Sequence, residues 1–313
     1  MYEPARKTPL PSRRHFLQAA AAGALALSGV PALAAPVLRP VPSTGERLPA
    51  IGMGTWITFD IEPSFRSGGA MTARWQVLRE FFAAGGRLID SSPMYGRAEA
   101  VLGELLPQTP GAEALYSTTK VWTPGQAMGE RQMARSLQLW GLPRFDLMQV
   151  HNLLDWEAHL PTLRRMKEES AVRHIGITTS HGRRHEEVET VMKREALDFV
   201  QFTYNLAHRE AERQLLPAAA DRGCAVIINR PFDGGQLFRR VRGAALPGWA
   251  ADIGCTNWAQ VFLKFVVSHP AVTCAIPATS RPEHMRENMD ALTGPLPDAA
   301  LRRRMVEDFE RVG

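Results

Sequence analysis

The sequence predicts an α/β protein, a single-domain (β/α)8 TIM barrel, and three observations lead there. Eight short apolar, β-branched runs recur along the chain, and segments of helical periodicity separate most of them. An open doubly wound sheet would carry a GxGxxG turn after its first strand, where this chain has only GMGTW. The 313-residue chain is 45 % apolar and 22 % charged, a globular composition, and about 250 residues is an ordinary size for one barrel domain.

From the N-terminus, residues 1–34 read as a targeting segment. The twin-arginine pattern SRRHFL (12–17) precedes the small-residue run AAAAGALALSGV, and Ala32-Leu33-Ala34 is a small-x-small cleavage site. The apolar run falls short of the roughly 20 residues of a spanning helix, so no stable membrane anchor is expected after cleavage. The expected partner is the twin-arginine export machinery, and the expected location is the periplasm, reached folded with any cofactor already inside. Residues 35–46 read as a linker and 47–313 as the barrel.

The formal net charge of +5 is concentrated at that end, because Arg6, Lys7, Arg13 and Arg14 lie in the targeting segment. Without them and Glu3, 33 basic residues face 31 acidic ones, a net charge of +2. No basic stripe remains to bind a phosphate backbone, which argues against a nucleic-acid partner. Cys224, Cys255 and Cys274 are an odd number for an exported protein. Cys224 and Cys274 border apolar runs and read as buried thiols rather than a disulfide.

The predicted strands are AIGMGTW (50–56), RLID (87–90), LYSTTKV (115–121), DLMQVH (146–151), HIGITT (174–179), DFVQFTYN (198–205), AVIINRP (225–231) and VTCAIPAT (272–279). Among the helices, Thr72 caps a run with Trp75, Leu78, Phe81 and Phe82 on one face, stopping at Gly85-Gly86. Thr256 opens NWAQVFLKFVVSH, which stops at Pro270.

Barrel chemistry sits where strands end. Asp90 ends the second strand, Tyr95 follows in its loop, Lys120 lies in the third strand and His151 closes the fourth. Each has a plainer reading on its own: a helix cap, a half-buried aromatic, a snorkelling lysine, a core imidazole. Together at successive strand ends they place an acid, a phenol, an amine and an imidazole at one mouth. A buried carboxylate at Asp90 costs several kcal/mol without a partner, and Lys120 supplies the cation.

Those four residues, set in GGRLIDSSPMYGRAEAVLGELL, STTKVW and FDLMQVHN, resemble the catalytic tetrad of the aldo-keto reductases. The resemblance spans about residues 47 to 293 and includes GMGTW, Gln201 and AIPATSRPEHMREN. It implies a TIM barrel that reduces an aldehyde or ketone with a nicotinamide dinucleotide, Tyr95 acting as general acid. Lys120 would stabilise the phenolate, Asp90 would hold Lys120, and His151 would hydrogen-bond the carbonyl oxygen. It also implies cofactor contacts from Gly54, Thr55, Thr178, Thr179, Gln201, Asn229, Arg230, Thr279, Ser280, Arg281, Glu287 and Asn288. Trp56, Trp122 and Asn152 would wall the substrate pocket, and no metal site is implied.

Several of these positions depart from the family pattern. Thr178 and Thr179 stand where Ser-Asn is usual, and Asn229 replaces an aromatic that stacks on the nicotinamide, a loss of about 1 kcal/mol of ring contact. Ala278 and His284 replace the lysine and arginine that meet the 2′-phosphate, leaving Arg281. The expected cofactor is NADP(H) rather than NAD(H), and the expected substrate is a small carbonyl compound or sugar. The alternative is an exported barrel with a weakened dinucleotide site, acting as a ligand-binding protein or a non-redox lyase or isomerase.

Overall fold

The computed structural model describes residues 36–63 and 69–312. The targeting segment expected over residues 1–34 lies outside them. A hairpin of β1 (Leu38–Pro40) and β2 (Arg47–Pro49) comes first. Eight strands follow: β3 (Met53–Gly54), β4 (Leu88–Asp90), β5 (Tyr116–Val121), β6 (Phe145–Val150), β7 (Val172–Thr178), β8 (Phe199–Thr203), β9 (Ala225–Asn229) and β10 (Cys274–Ala275). They pair in parallel in chain order. Parallel bridges Ile51–Ala275 and Gly54–Ala278 bring the first and last strands together. A Cβ at Gly52 would stand 2.7 Å from the Leu88 carbonyl oxygen, so glycine is needed where these strands approach.

The helices around the barrel are α1 (Gly69–Ala83), α2 (Ala98–Leu105), α3 (Gln126–Trp140), α4 (Trp156–Glu168), α5 (His185–Arg194) and α6 (Leu215–Asp221). Between β9 and β10 lie α7 (Gln236–Arg240), α8 (Trp249–Asp252) and α9 (Trp258–Val267), and α10 (Pro282–Asp290) and α11 (Ala299–Val312) close the chain. The predicted caps move. Helix α1 already includes Gly69, ahead of Thr72. Helix α9 is capped by Asn257, whose side chain accepts from Gln260 N at 3.0 Å, while the Gln260 carbonyl oxygen Oε1 accepts from Thr256 N at 2.7 Å. The cap thus falls one residue after the expected Thr256, and the Gln260 side chain reaches back past it to the Thr256 N–H.

Residues 35–46, read from sequence as a linker, instead contribute β1 and the hairpin turn. Val41 and Leu48 are fully buried and cluster with Leu88, Tyr116, Leu147, Phe199 and Ile227 from the barrel strands. Glu46 accepts from Arg87 at 2.9 Å and Arg173 at 2.6 Å, at the starts of β4 and β7. The hairpin is therefore packed and ion-paired onto the end of the barrel opposite the strand C-termini. Its alternating apolar positions were short enough to be missed among the prolines of that stretch.

Above this apolar layer the barrel interior turns polar, with Asp90, Thr118, Gln149 and Gln201 all buried. Helix α2 is anchored nearby through buried Glu99, which accepts from Thr119 at 2.7 Å, Ser136 at 2.9 Å and Trp140 at 3.2 Å. Cys224, Cys255 and Cys274 are buried free thiols. Burial pushes the Cys224 and Cys255 thiols up to about 11, well away from reactive thiolates.

Candidate active site

Strand register assembles the centre. Asp90 lies opposite Thr118 across β4 and β5, Lys120 opposite Gln149 across β5 and β6, and Thr178 opposite Gln201 across β7 and β8. Lys120 Nζ donates to Asp90 Oδ2 and to the Ser91 carbonyl, both at 2.6 Å. The other carboxylate oxygen, Oδ1, accepts from Thr118 Oγ1 at 2.8 Å, Gln201 Nε2 at 3.1 Å and Gln149 Nε2 at 3.2 Å. Burial works against the Lys120 charge, but Asp90 and Tyr95 outweigh it, so its ammonium is held above the ordinary lysine range. An ion pair shut off from water is stable only when its remaining donors and acceptors are satisfied, and these are.

The Lys120 ammonium lies 5.0 Å from the centre of the Tyr95 ring. Burial raises the Tyr95 phenol, the Lys120 cation pulls it back, and the Asp90 carboxylate adds to the rise; the net shift is upward. Tyr95 is therefore protonated at neutral pH, as a proton donor must be.

His151 directly follows β6, and its ring stands edge-on to Tyr95 at 5.8 Å. Burial and the Lys120 cation lower it to about 2, so the imidazole is neutral. Its Nδ1 lies 2.9 Å from Ser92 Oγ, which also accepts from Met94 N at 3.2 Å. With Ser92 Oγ already accepting from Met94 N, the arrangement that also uses the Ser92 proton has Ser92 donating to Nδ1, and in that tautomer the imidazole proton sits on Nε2. Nε2–H is then a donor for a substrate oxygen. Ser92 and Gln149 were not singled out from the sequence, although Ser92 stands two residues after Asp90 and Gln149 two before His151, the strand period that turns it inward.

The centre opens into a cavity of about 650 Å³. Gly54, Thr55, Thr178, Gln201, Asn229 and Arg230 line it, as do Trp56 and Asn152 from the expected substrate wall. Trp122 stands at 6.4 Å from the His151 ring. Sequence reasoning did not single out Ile57, Met94, His181 or Phe238, which also face the cavity. Thr179 is not part of the lining: its hydroxyl is buried without a partner, and its carbonyl accepts from Asn229 Nδ2 at 2.7 Å. Thr279, Ser280 and Arg281 lie beyond the lining residue Ala278, just before α10, and Glu287 and Asn288 lie in the C-terminal half of that helix. Arg281 is exposed and donates to Glu283 at 2.6 Å.

These residues fit a nicotinamide dinucleotide. At one wall the Thr178 hydroxyl can donate to a carboxamide and the Gln201 and Asn229 side-chain oxygens can accept from it, the amide N–H groups of both being already donated to Asp90, Gln149, Thr179 and Gln201. Asn229 is itself tied to Gln201 Oε1 at 3.3 Å and Thr203 Oγ1 at 2.7 Å, so the ring-stacking aromatic is replaced by a fixed polar side chain.

Residues 50–304 match the Aldo/keto reductase family. The chain is 24 % identical to an NADH-specific methylglyoxal reductase of Escherichia coli, over 87 % of this chain and 99 % of that one. It is 29 % identical to an E. coli pyridoxine 4-dehydrogenase, over 69 % of this chain and 79 % of the relative. Among solved structures, an aldo-keto reductase from Klebsiella pneumoniae in complex with NADPH superposes with a TM-score of 0.69 at 22 % identity, covering 85 % of this chain and 92 % of its own. The holo form of an aldo-keto reductase from Bacillus halodurans gives 0.71 at 17 % identity, covering 88 % and 96 %. With the barrel, the match over residues 50–304 and the four-residue centre in register, the chain belongs to the Aldo/keto reductase family and is an NAD(P)-dependent oxidoreductase.

Proposed function

We propose that this enzyme reduces a small aldehyde or ketone to the alcohol, and runs the reverse oxidation through the same groups. The observation that carries this is the buried Lys120–Asp90 pair set beside the Tyr95 phenol. The dinucleotide, when bound, supplies or accepts the hydride. Everything else falls to the chain's own residues. His151 Nε2–H orients the carbonyl oxygen and shares the negative charge that develops there. Tyr95 transfers its proton to that oxygen, and the Lys120 cation stabilises the phenolate left behind. Asp90, held by Thr118, Gln149 and Gln201, keeps Lys120 in place.

The names of the methylglyoxal reductase and pyridoxine 4-dehydrogenase relatives support a small-molecule substrate. A ligand-binding or non-redox barrel is not favoured, because the proton-transfer centre is complete. We read the cofactor as NADP(H) in preference to NAD(H), with Arg281 as the residue that meets the 2′-phosphate. The preference should be modest, since Glu283 competes for that guanidinium and one relative is named NADH-specific. Export rests on SRRHFL and Ala32-Leu33-Ala34. Replacing Arg13 and Arg14 by lysine should leave the protein in the cytoplasm, and normal export of that variant would refute the reading. The activity itself is tested by following reduced-nicotinamide absorbance with a panel of small aldehydes; no turnover of any would refute it.

A further inference from the structure

His181 faces the cavity from the loop after β7 and has no part in the proton-transfer centre. Its backbone lies in the left-handed region, φ 63°, where histidine is tolerated but needs support. That support is a chain of hydrogen bonds from the strand ends. The His181 backbone N–H donates to Thr203 Oγ1 at 2.9 Å, and Thr203 Oγ1 donates to Asn229 Oδ1 at 2.7 Å. Asn229 Nδ2 in turn donates to the Thr179 carbonyl at 2.7 Å, which returns the chain to the end of β7. The imidazole is thereby set edge-on to the Trp56 indole, 6.3 Å between ring centres, beside the expected substrate wall.

Hydrogen-bond direction fixes what the ring offers. His181 Nδ1 lies 2.9 Å from Ser180 Oγ, and Ser180 Oγ donates its one proton to Asn152 Oδ1 at 3.4 Å. With that proton used, Ser180 accepts from Nδ1, so the imidazole proton sits on Nδ1 and Nε2 carries a lone pair. This is the opposite tautomer to that of His151. Burial, with the Arg230 and Arg183 cations, lowers His181, which is therefore neutral at neutral pH. Nε2 has no hydrogen-bond partner among the described residues, and the residue is exposed at the cavity, where a ligand reaches it. A neutral acceptor beside the apolar Trp56, Ile57 and Met94 is matched by a ligand that brings one donor to it. The same Arg183 and Arg230 cations would repel an ammonium donor, which favours a neutral hydroxyl.

We propose that His181 Nε2 accepts from a hydroxyl on the substrate, which makes His181 a specificity-determining residue that favours hydroxylated carbonyl compounds over their unhydroxylated counterparts. This rests on the carbonyl-reductase reading above. The test compares 3- and 4-(hydroxymethyl)benzaldehyde with 3- and 4-methylbenzaldehyde on the wild-type holoenzyme, His181→Gln and His181→Phe, alongside direct titration of the dinucleotide. Wild type should favour at least one hydroxymethyl compound over its methyl partner in kcat/KM by about tenfold, the scale of one hydrogen bond. His181→Phe, which keeps a ring but no acceptor, should abolish that ratio. His181→Gln, which keeps an acceptor, should retain part of it, and dinucleotide affinity should stay within a few-fold in both. Equal kcat/KM within each pair on wild type would overturn this inference and leave the reductase reading standing. A ratio that survives in His181→Phe would assign the selection to another residue and overturn it. A loss of dinucleotide affinity in His181→Phe that matches its loss of turnover would assign Nε2 to a cofactor hydroxyl and overturn it too. No turnover of any of the four aldehydes by wild type would count against the reductase reading itself, and against this inference with it.

Discussion

Lys120 Nζ lies 2.6 Å from Asp90 Oδ2, with side-chain exposures of 0 % and 2 %. Removing one partner leaves an uncompensated charge inside the barrel, at a cost of about 3–5 kcal/mol. Lys120→Met should therefore destabilise the protein by that amount in denaturant unfolding. The double variant Asp90→Leu/Lys120→Met should recover part of the loss while having no activity. A single variant as stable as wild type would mean that the pair is not buried as described.

Ser92 acts on His151 through Nδ1 at 2.9 Å. Ser92→Ala frees the imidazole to carry its proton on either nitrogen, so part of the population would present a lone pair to the substrate oxygen. The expected result is a fall in kcat for carbonyl reduction of about tenfold, with dinucleotide affinity unchanged. Unaltered kcat would show that Ser92 does not set the tautomer.

The pH profile follows from two shifts. His151, lowered to about 2, stays neutral through the working range and contributes no inflection near its ordinary 6.5. Tyr95 is shifted upward, so the protonated donor is lost only as pH rises past the ordinary tyrosine value of about 10. Reductive kcat/KM should be flat from about pH 5 to 10 and fall only above that. An inflection near 6.5 that disappears in a His151 variant would contradict the neutral imidazole.

Much of this was legible in the sequence. All eight barrel strands stand where apolar, β-branched runs predicted them, and the four candidate catalytic positions converge because parallel strands deliver their C-terminal ends to one mouth. The hairpin was not legible, since two three-residue strands leave too few alternations to distinguish from a loop. The polar ring on Asp90 was missed for a different reason. Thr118 and Gln149 are ordinary residues in their own strands, and only the register of β4, β5 and β6 brings them to one carboxylate. Thr179 illustrates the converse. Its sequence position suggested a cofactor contact, but the structure buries its hydroxyl away from the cavity lining.

Arg281 is held by Glu283, an exposed partner two residues on. Arg281→Ala should weaken NADPH binding by about tenfold, the scale of one charge-assisted contact, and leave NADH nearly unchanged. Glu283→Gln should do the opposite and favour NADPH by a few-fold. Fluorescence titration of both cofactors into both variants decides this, and equal losses for NADPH and NADH in Arg281→Ala would remove Arg281 from the phosphate site.

The proton donor is the centre of the mechanism, and Tyr95→Phe isolates it because only one hydroxyl is removed. Dinucleotide binding and carbonyl reduction should be measured on the same preparation. Near-normal cofactor affinity with a loss of turnover of several orders of magnitude is the expected result, while turnover within about tenfold of wild type would show that the proton comes from another group.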